Sequence, residues 1–233
     1  MKHKQFLYIL VMLSLLLMGN SQAAKEGIVL LKFSEHSILK QSLDLVSDKI
    51  LSHIIILPAT PFNQEEAAEM ITRIDGLPAS LLEKIYENGV LIQLFTGRLT
   101  ENKAAAHLSN LVPRGYVHKT TWDDVPGMGG GRTVLVKIGA SDRGKGHSSV
   151  NLELHELAHS IDRLVYDGLR SKHSYLEIWN LEKENMFPGR SYFLQYPEEY
   201  FAECFAYYYL GGQFQEELKR KAPRTFQLIQ KLS

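Results

Sequence analysis

The chain has 233 residues, enough for one large domain or two small lobes around a real core. Lysine plus arginine equals aspartate plus glutamate at 26 each, which excludes the basic surface on which nucleic-acid binding rests. The single cysteine, Cys204, excludes an internal disulfide, so stability has to come from the core and from any bound metal.

The first residues read as a leader rather than as part of the fold. "MKHK" is basic, "FLYILVMLSLLLM" is apolar, and "GNSQAA" places Ser21 and Ala23 at the −3 and −1 positions of a signal-peptidase site. The apolar run is too short for a membrane span. Residues 1–24 are therefore expected to be a signal peptide, cut near Ala23 or Ala24. The expected product is a secreted monomer with no stable membrane association. Loss of Lys2 and Lys4 would leave the mature chain slightly acidic.

Residues 25–147 alternate between strand and helix patterns. "GIVLLKF" (27–33) reads as a strand, and "SILKQSLDLVSDKILS" (37–52) has helical periodicity. "HIIILP" (53–58) is a β-branched run. "NQEEAAEMITRI" (63–74) reads as a helix capped by Asn63. "PASLLEKIYENG" carries proline at its start and glycine at its end, as a short helix does. "VLIQLF" (90–95) and "TVLVKI" (133–138) read as strands, with the glycine-rich "TWDDVPGMGGGR" (121–132) between them. "GASDRGKG" (139–146) is one residue short of a Walker A loop. Gly146 stands where Ser or Thr must bind Mg²⁺, so this is a surface turn. "LVPRG" (111–115) reads as native sequence in the middle of the domain.

From Ser148 onward the pattern is helical only. "SSVNLELHELAHSIDRLVYDGL" reads as one long helix capped by Ser148 or Ser149. "PEEYFAECFAYYYLGG" reads as another, opened by Pro197 and closed by Gly211. "KAPRTFQLIQKL" forms a last one. Cys204 falls in the apolar middle of the second and reads as a small buried hydrophobe. The fold class expected is α+β: an α/β N-terminal lobe (25–147), then an all-helical C-terminal lobe (148–233). The two lobes are expected to form one domain overall, with a cleft between them.

The chemistry is carried by "HELAH" at 155–159. His155 and His159 are four apart, so on a helix they share a face and can grip one ion. Glu156 sits where a general base approaches a water at that ion. A helix with a plain surface histidine pair is the bland alternative. A hydrolytic zinc site needs a third protein ligand. Asp162 is three residues past His159 on the same helix, and three ligands from one straight helix crowd the ion. Glu199, on a second helix that can cross the first, is preferred. Glu203 lies one turn beyond Glu199, and it or Asp162 could accept a hydrogen bond from a liganding histidine. Either is equally readable as an ordinary helix carboxylate. Tyr192, in the loop before Glu199, is a weak candidate for donating to an oxyanion.

Beyond these residues, "TWDDVPGMGGG", "KGHSSVNLELHE", "YPEEYFAECFAYYYL" and "APRTFQLI" resemble the catalytic domain of anthrax lethal factor. They resemble still more the small secreted Pro-Pro endopeptidases of Gram-positive bacteria, over nearly the whole mature chain. The resemblance implies a zincin-like catalytic domain with its active site in the cleft between the lobes, a zinc metalloendopeptidase that cuts between two prolines of a proline-rich protein or peptide. It implies one Zn²⁺ held by His155, His159 and Glu199, with Glu156 as base and Tyr192 at the oxyanion. Trp122, Gly129, Gly130, Gly131 and Glu198 match the family's substrate-binding region. A polyproline segment is stiff and its prolines lack N–H groups, so an aromatic face and a glycine edge suit it. Two rival readings stay open: a zinc protease of other, lethal-factor-like specificity, and a non-catalytic zinc-binding surface module. The intact Glu156 argues against the second.

Overall fold

The computed structural model describes residues 27–114 and 120–232. The expected leader lies outside these residues. No helix among the described residues is long and apolar enough to cross a membrane.

A five-stranded mixed sheet organises the first half. Its strands are β1 (Ile28–Val29), β2 (Ile55–Leu57), β3 (Leu91–Phe95), β4 (Gly127–Met128) and β5 (Thr133–Lys137), in the order β1-β2-β3-β5-β4. β2, β3 and β5 run parallel, and β1 and β4 close the two edges antiparallel. The central strands read as continuous apolar runs because they are covered on both faces. Ile92, Leu94, Val134 and Val136 are fully buried.

Helices α1 (Ile38–Ser42), α2 (Asp48–Ile54), α3 (Gln64–Asp75) and α4 (Ala79–Glu87) connect the strands. Asn63 caps α3 through its side chain, which accepts from the Glu66 N–H. Two local expectations are corrected. The 37–52 periodicity is not one helix but two, because the Asp75 carboxylate accepts the N–H groups of Val46 and Ser47 at 2.8 Å each and holds a turn there. The 27–33 strand keeps only two paired residues before a 3₁₀ turn at Leu30–Lys32.

The second half is helical: α5 (Leu152–Ser160), α6 (His173–Met186), α7 (Ser191–Gln195), α8 (Pro197–Leu210), α9 (Gly212–Lys221) and α10 (Pro223–Gln230). The expected single helix 148–169 is also corrected. Its cap is Asn151, whose side chain accepts from the Leu154 N–H at 3.0 Å. α5 ends at Ser160, and the chain widens into a π turn over Ile161–Val165. α8 starts with Pro197 and ends before Gly211, as read. It is apolar nearly all round, which fits its burial: Tyr200, Phe201, Ala202, Cys204, Phe205 and Ala206 are solvent-free.

One hydrophobic cluster runs from Leu30 to Leu232, so sheet and helices share a single core. α5 lies across the sheet and packs against α8 on its other side. On its back, the fully buried Glu153 pairs with Arg73 of α3. A smaller cluster of Phe95, Leu99, Ala105, Val125 and Leu135 supports Trp122.

Candidate metal centre

α5 and α8 bring three ligand atoms together. One nitrogen each from His155 and His159 and one oxygen from Glu199 lie within 4.8 Å of one another. His155 Nε2 stands 3.3 Å, and His159 Nε2 3.5 Å, from Glu199 Oε2. The two imidazoles are one helical turn apart and meet edge to face, 4.9 Å between centroids. Asp162, the competing third ligand, is elsewhere. It is solvent-free, accepts the Arg170 N–H at 2.8 Å, and has the Arg170 guanidinium at ion-pair distance. The π turn carries it to that partner.

His155 is held from behind. Its Nδ1 is 3.2 Å from Glu203 Oε2, and the other Glu203 oxygen accepts from the Val150 N–H and from Arg143. The ligand residues perturb one another strongly. Burial opposes protonation of His155, but its bonds to Glu199 and Glu203 outweigh burial and push it up to about 10. The same histidines hold the Glu199 carboxyl far below the usual carboxylate range in spite of its burial.

Glu156 projects beside the ligands. Burial pushes its carboxyl up, against the pull of His155 and His159, and it receives a backbone hydrogen bond from Gly129. Tyr192 lines the same cavity, with Glu199 and Arg114 in hydrogen-bonding reach of its phenol. Burial first, and then the Glu199 charge, raise that phenol, so it keeps its proton.

The cavity has a volume of about 940 Å³. Trp122, Gly129, Gly130, Glu156, Tyr192 and Glu198 all face into it. Gly131 instead turns its carbonyl to Ser160, which donates to it at 2.8 Å. The glycine segment differs from the expectation in register: the paired strand is Gly127–Met128, and Gly129–Gly131 form the turn that follows. Glycine is required where it lies closest to α5. A Cβ on Gly129 would sit 1.9 Å from the Glu156 carbonyl oxygen.

Sequence reading missed several residues here. Arg114, inside "LVPRG", bonds Glu198 at 2.7 Å, lies 3.5 Å from Glu199, and stacks 4.0 Å above the Tyr196 ring. Asp123, next to Trp122, ties its own loop together. It accepts from Thr100, Ser109, Thr121 and the Asn110 N–H. No periodic pattern marks such loop residues, although a buried aspartate beside a cluster of Ser, Thr and Asn is a usable hint.

Comparison with known proteins places this arrangement. The family model described as anthrax toxin lethal factor, N- and C-terminal domain, matches residues 41–232. The class is thus a peptidase, here with a helix pair whose His155, His159 and Glu199 could hold a metal ion. A Pro-Pro endopeptidase of Paenibacillus alvei is 40% identical over 184 residues, 78% of this chain and 84% of that protein. A Pro-Pro endopeptidase of Clostridioides difficile is 39% identical over 78% of this chain and 83% of its own length. The solved structure of the Paenibacillus alvei Pro-Pro endopeptidase superposes with a TM-score of 0.74 at 39% identity, covering 80% of this chain and 99% of that one. The chain belongs to the Pro-Pro endopeptidase family, within the wider lethal-factor family.

Proposed function

We propose that this protein is a secreted zinc metalloendopeptidase that hydrolyses Pro-Pro bonds in proline-rich proteins, with bacterial surface proteins as the expected targets. The observation that carries it is the three-ligand cluster of His155, His159 and Glu199 beside Glu156 in a cavity edged by Trp122 and glycine backbone.

Zinc fits the donor set. Two ligands of one tetrahedral zinc, each about 2.0–2.2 Å from it, stand about 3.3–3.6 Å apart. The two histidine-to-Glu199 spacings, 3.3 and 3.5 Å, fall in that range, and all three ligand atoms lie within 4.8 Å of one another. His155, His159 and Glu199 would hold the ion, and Glu203 would fix the His155 ring through Nδ1. Zinc, when bound, supplies Lewis-acid polarisation of a carbonyl and eases ionisation of water.

Glu156 takes the proton of the attacking water and delivers it to the leaving nitrogen, a secondary amine when the second residue is proline. The Tyr192 phenol, protonated and lining the same cavity, donates to the developing oxyanion. The peptide lies extended along β4, whose outer edge has no partner strand among the described residues. There the glycine segment admits close backbone approach, and Trp122 offers an aromatic face to a proline ring. Polyproline is already extended, so little ordering entropy opposes its binding.

The test is cleavage of quenched peptides with a central Pro-Pro and varied flanks, with and without a zinc chelator. Chelator-sensitive cutting between the prolines is expected. Cutting of other peptides alone would leave a zinc protease of different specificity. Zinc binding without any cutting would favour the non-catalytic module.

A further inference from the structure

The glycine turn after β4 is held by one face of the metal-binding helix. Gly129 packs directly on the Glu156 backbone, where a Cβ would sit 1.9 Å from its carbonyl oxygen. The Gly130 N–H donates to Ser160 Oγ at 3.0 Å, and that hydroxyl donates to the Gly131 carbonyl at 2.8 Å. Arg163 Nη1 donates to the Gly130 carbonyl at 3.2 Å. Ser160 closes α5 and Arg163 follows it in the π turn, so two side chains grip the Gly130–Gly131 backbone. The π turn begins just after Ser160, and Arg163 lies within it. Single π turns often occur at functional sites.

Backbone accounting gives this clamp its consequence. Every main-chain polar group in such a turn needs a partner. Ser160 takes up the Gly130 N–H, and Ser160 and Arg163 each occupy one lone pair of the Gly131 and Gly130 carbonyls. The Gly130 N–H is thereby withdrawn from any peptide in the cavity, and both carbonyls are held in fixed directions. The clamp therefore decides which part of the edge is left to bind substrate, and fixes its distance from Glu156 and the metal ligands. Ser160 is solvent-free and has no other hydrogen bond to make from its side chain. Arg163 is exposed and has no carboxylate partner among the described residues.

We infer that Ser160 and Arg163 are positioning residues that lock the Gly129–Gly131 turn to the metal helix and so set the peptide-binding register of the β4 edge. The inference rests on the proposed peptidase function for its kinetic arm only.

The experiment uses Ser160→Ala and, because Ser160 is buried, the exposed Arg163→Met as a second variant. Three readouts are taken: amide hydrogen exchange over residues 127–131, zinc content, and KM against kcat on a flanked Pro-Pro peptide. Exchange in 127–131 is expected to quicken about tenfold or more, with α5 unchanged. KM is expected to rise about tenfold, with kcat held within about twofold. Zinc content is expected to stay at the wild-type level. Arg163→Lys, which keeps one donor, should recover most of the KM. Unchanged exchange and KM in both variants would overturn the clamp. So would a fall in kcat at constant KM, the mark of lost folded enzyme rather than a displaced edge. If the wild type cuts no Pro-Pro peptide, the proposed activity fails and the exchange arm alone decides the clamp.

Discussion

Glu203 Oε2 lies 3.2 Å from His155 Nδ1, on the side of the ring away from Glu199. The contact joins two residues 48 positions apart and fixes which imidazole nitrogen faces the ligand cluster. Glu203 is solvent-free, and His155 with Arg190 nearby holds its carboxyl below the usual range against the effect of burial. Glu203→Ala is expected to weaken zinc affinity about 10–100-fold. A competition titration against a chromophoric chelator checks this. Unchanged affinity would show that the ring is oriented by other contacts.

Glu156 stands apart from the ligand atoms but shares their cavity. Glu156→Gln keeps the shape and removes the proposed base, so kcat should fall about 10²–10⁴-fold. Zinc content by atomic absorption should be unchanged. A variant that still turns over well would take the base role from Glu156. Tyr192→Phe should lower kcat less steeply, again with zinc retained, and zinc loss there would point to support of Glu199 instead.

Gly129 and Gly144 both border the cavity but differ in what surrounds them. A Cβ on Gly129 meets the Glu156 backbone at 1.9 Å, whereas one on Gly144 meets nothing within 4 Å. Gly129→Ala has to move α5 or the turn, and should cost about 2–3 kcal/mol or more. Gly144→Ala suffers only its φ of +91°, a strain of about 1–2 kcal/mol. Urea midpoints of the two variants should rank in that order. Similar losses would mean the contact at Gly129 relaxes freely.

Asp123 shapes acid stability. The Thr100 hydroxyl, followed by the Asn110 N–H, holds its carboxyl well below the usual carboxylate range. A depressed folded-state pKa means the stabilisation is fully present above the unfolded value, near 3.9. It is lost as pH falls below that toward the folded value. Asp123→Asn should lower stability at neutral pH and flatten its fall below about pH 4. Denaturation midpoints across that window test this, and parallel curves for both proteins would contradict it.

Much of the fold was legible because its signals are local. Asn63 before an apolar-periodic run marks a helix start, and Pro197 with Gly211 brackets α8. His155 and His159 had to share a face once "HELAH" was helical. Where expectation failed, a distant partner had intervened. Asp75 splits the 37–52 segment from 28 and 29 residues away, and Arg170 draws Asp162 from the ligand cluster.

By itself the sequence put His155 and His159 on one helix face with Glu156 beside them, and favoured a carboxylate from another helix as their companion. Spacing within one element is enough for that, since a helix's geometry is fixed by its own hydrogen bonds. The tertiary structure alone decided which atoms converge. Glu203 behind His155, Arg114 across 84 residues on Glu198, and Ser160 on the Gly130–Gly131 backbone are such cases. Those pairs depend on how α5 packs between sheet and α8. That packing is set by the burial of many apolar side chains together, which no short stretch of sequence encodes.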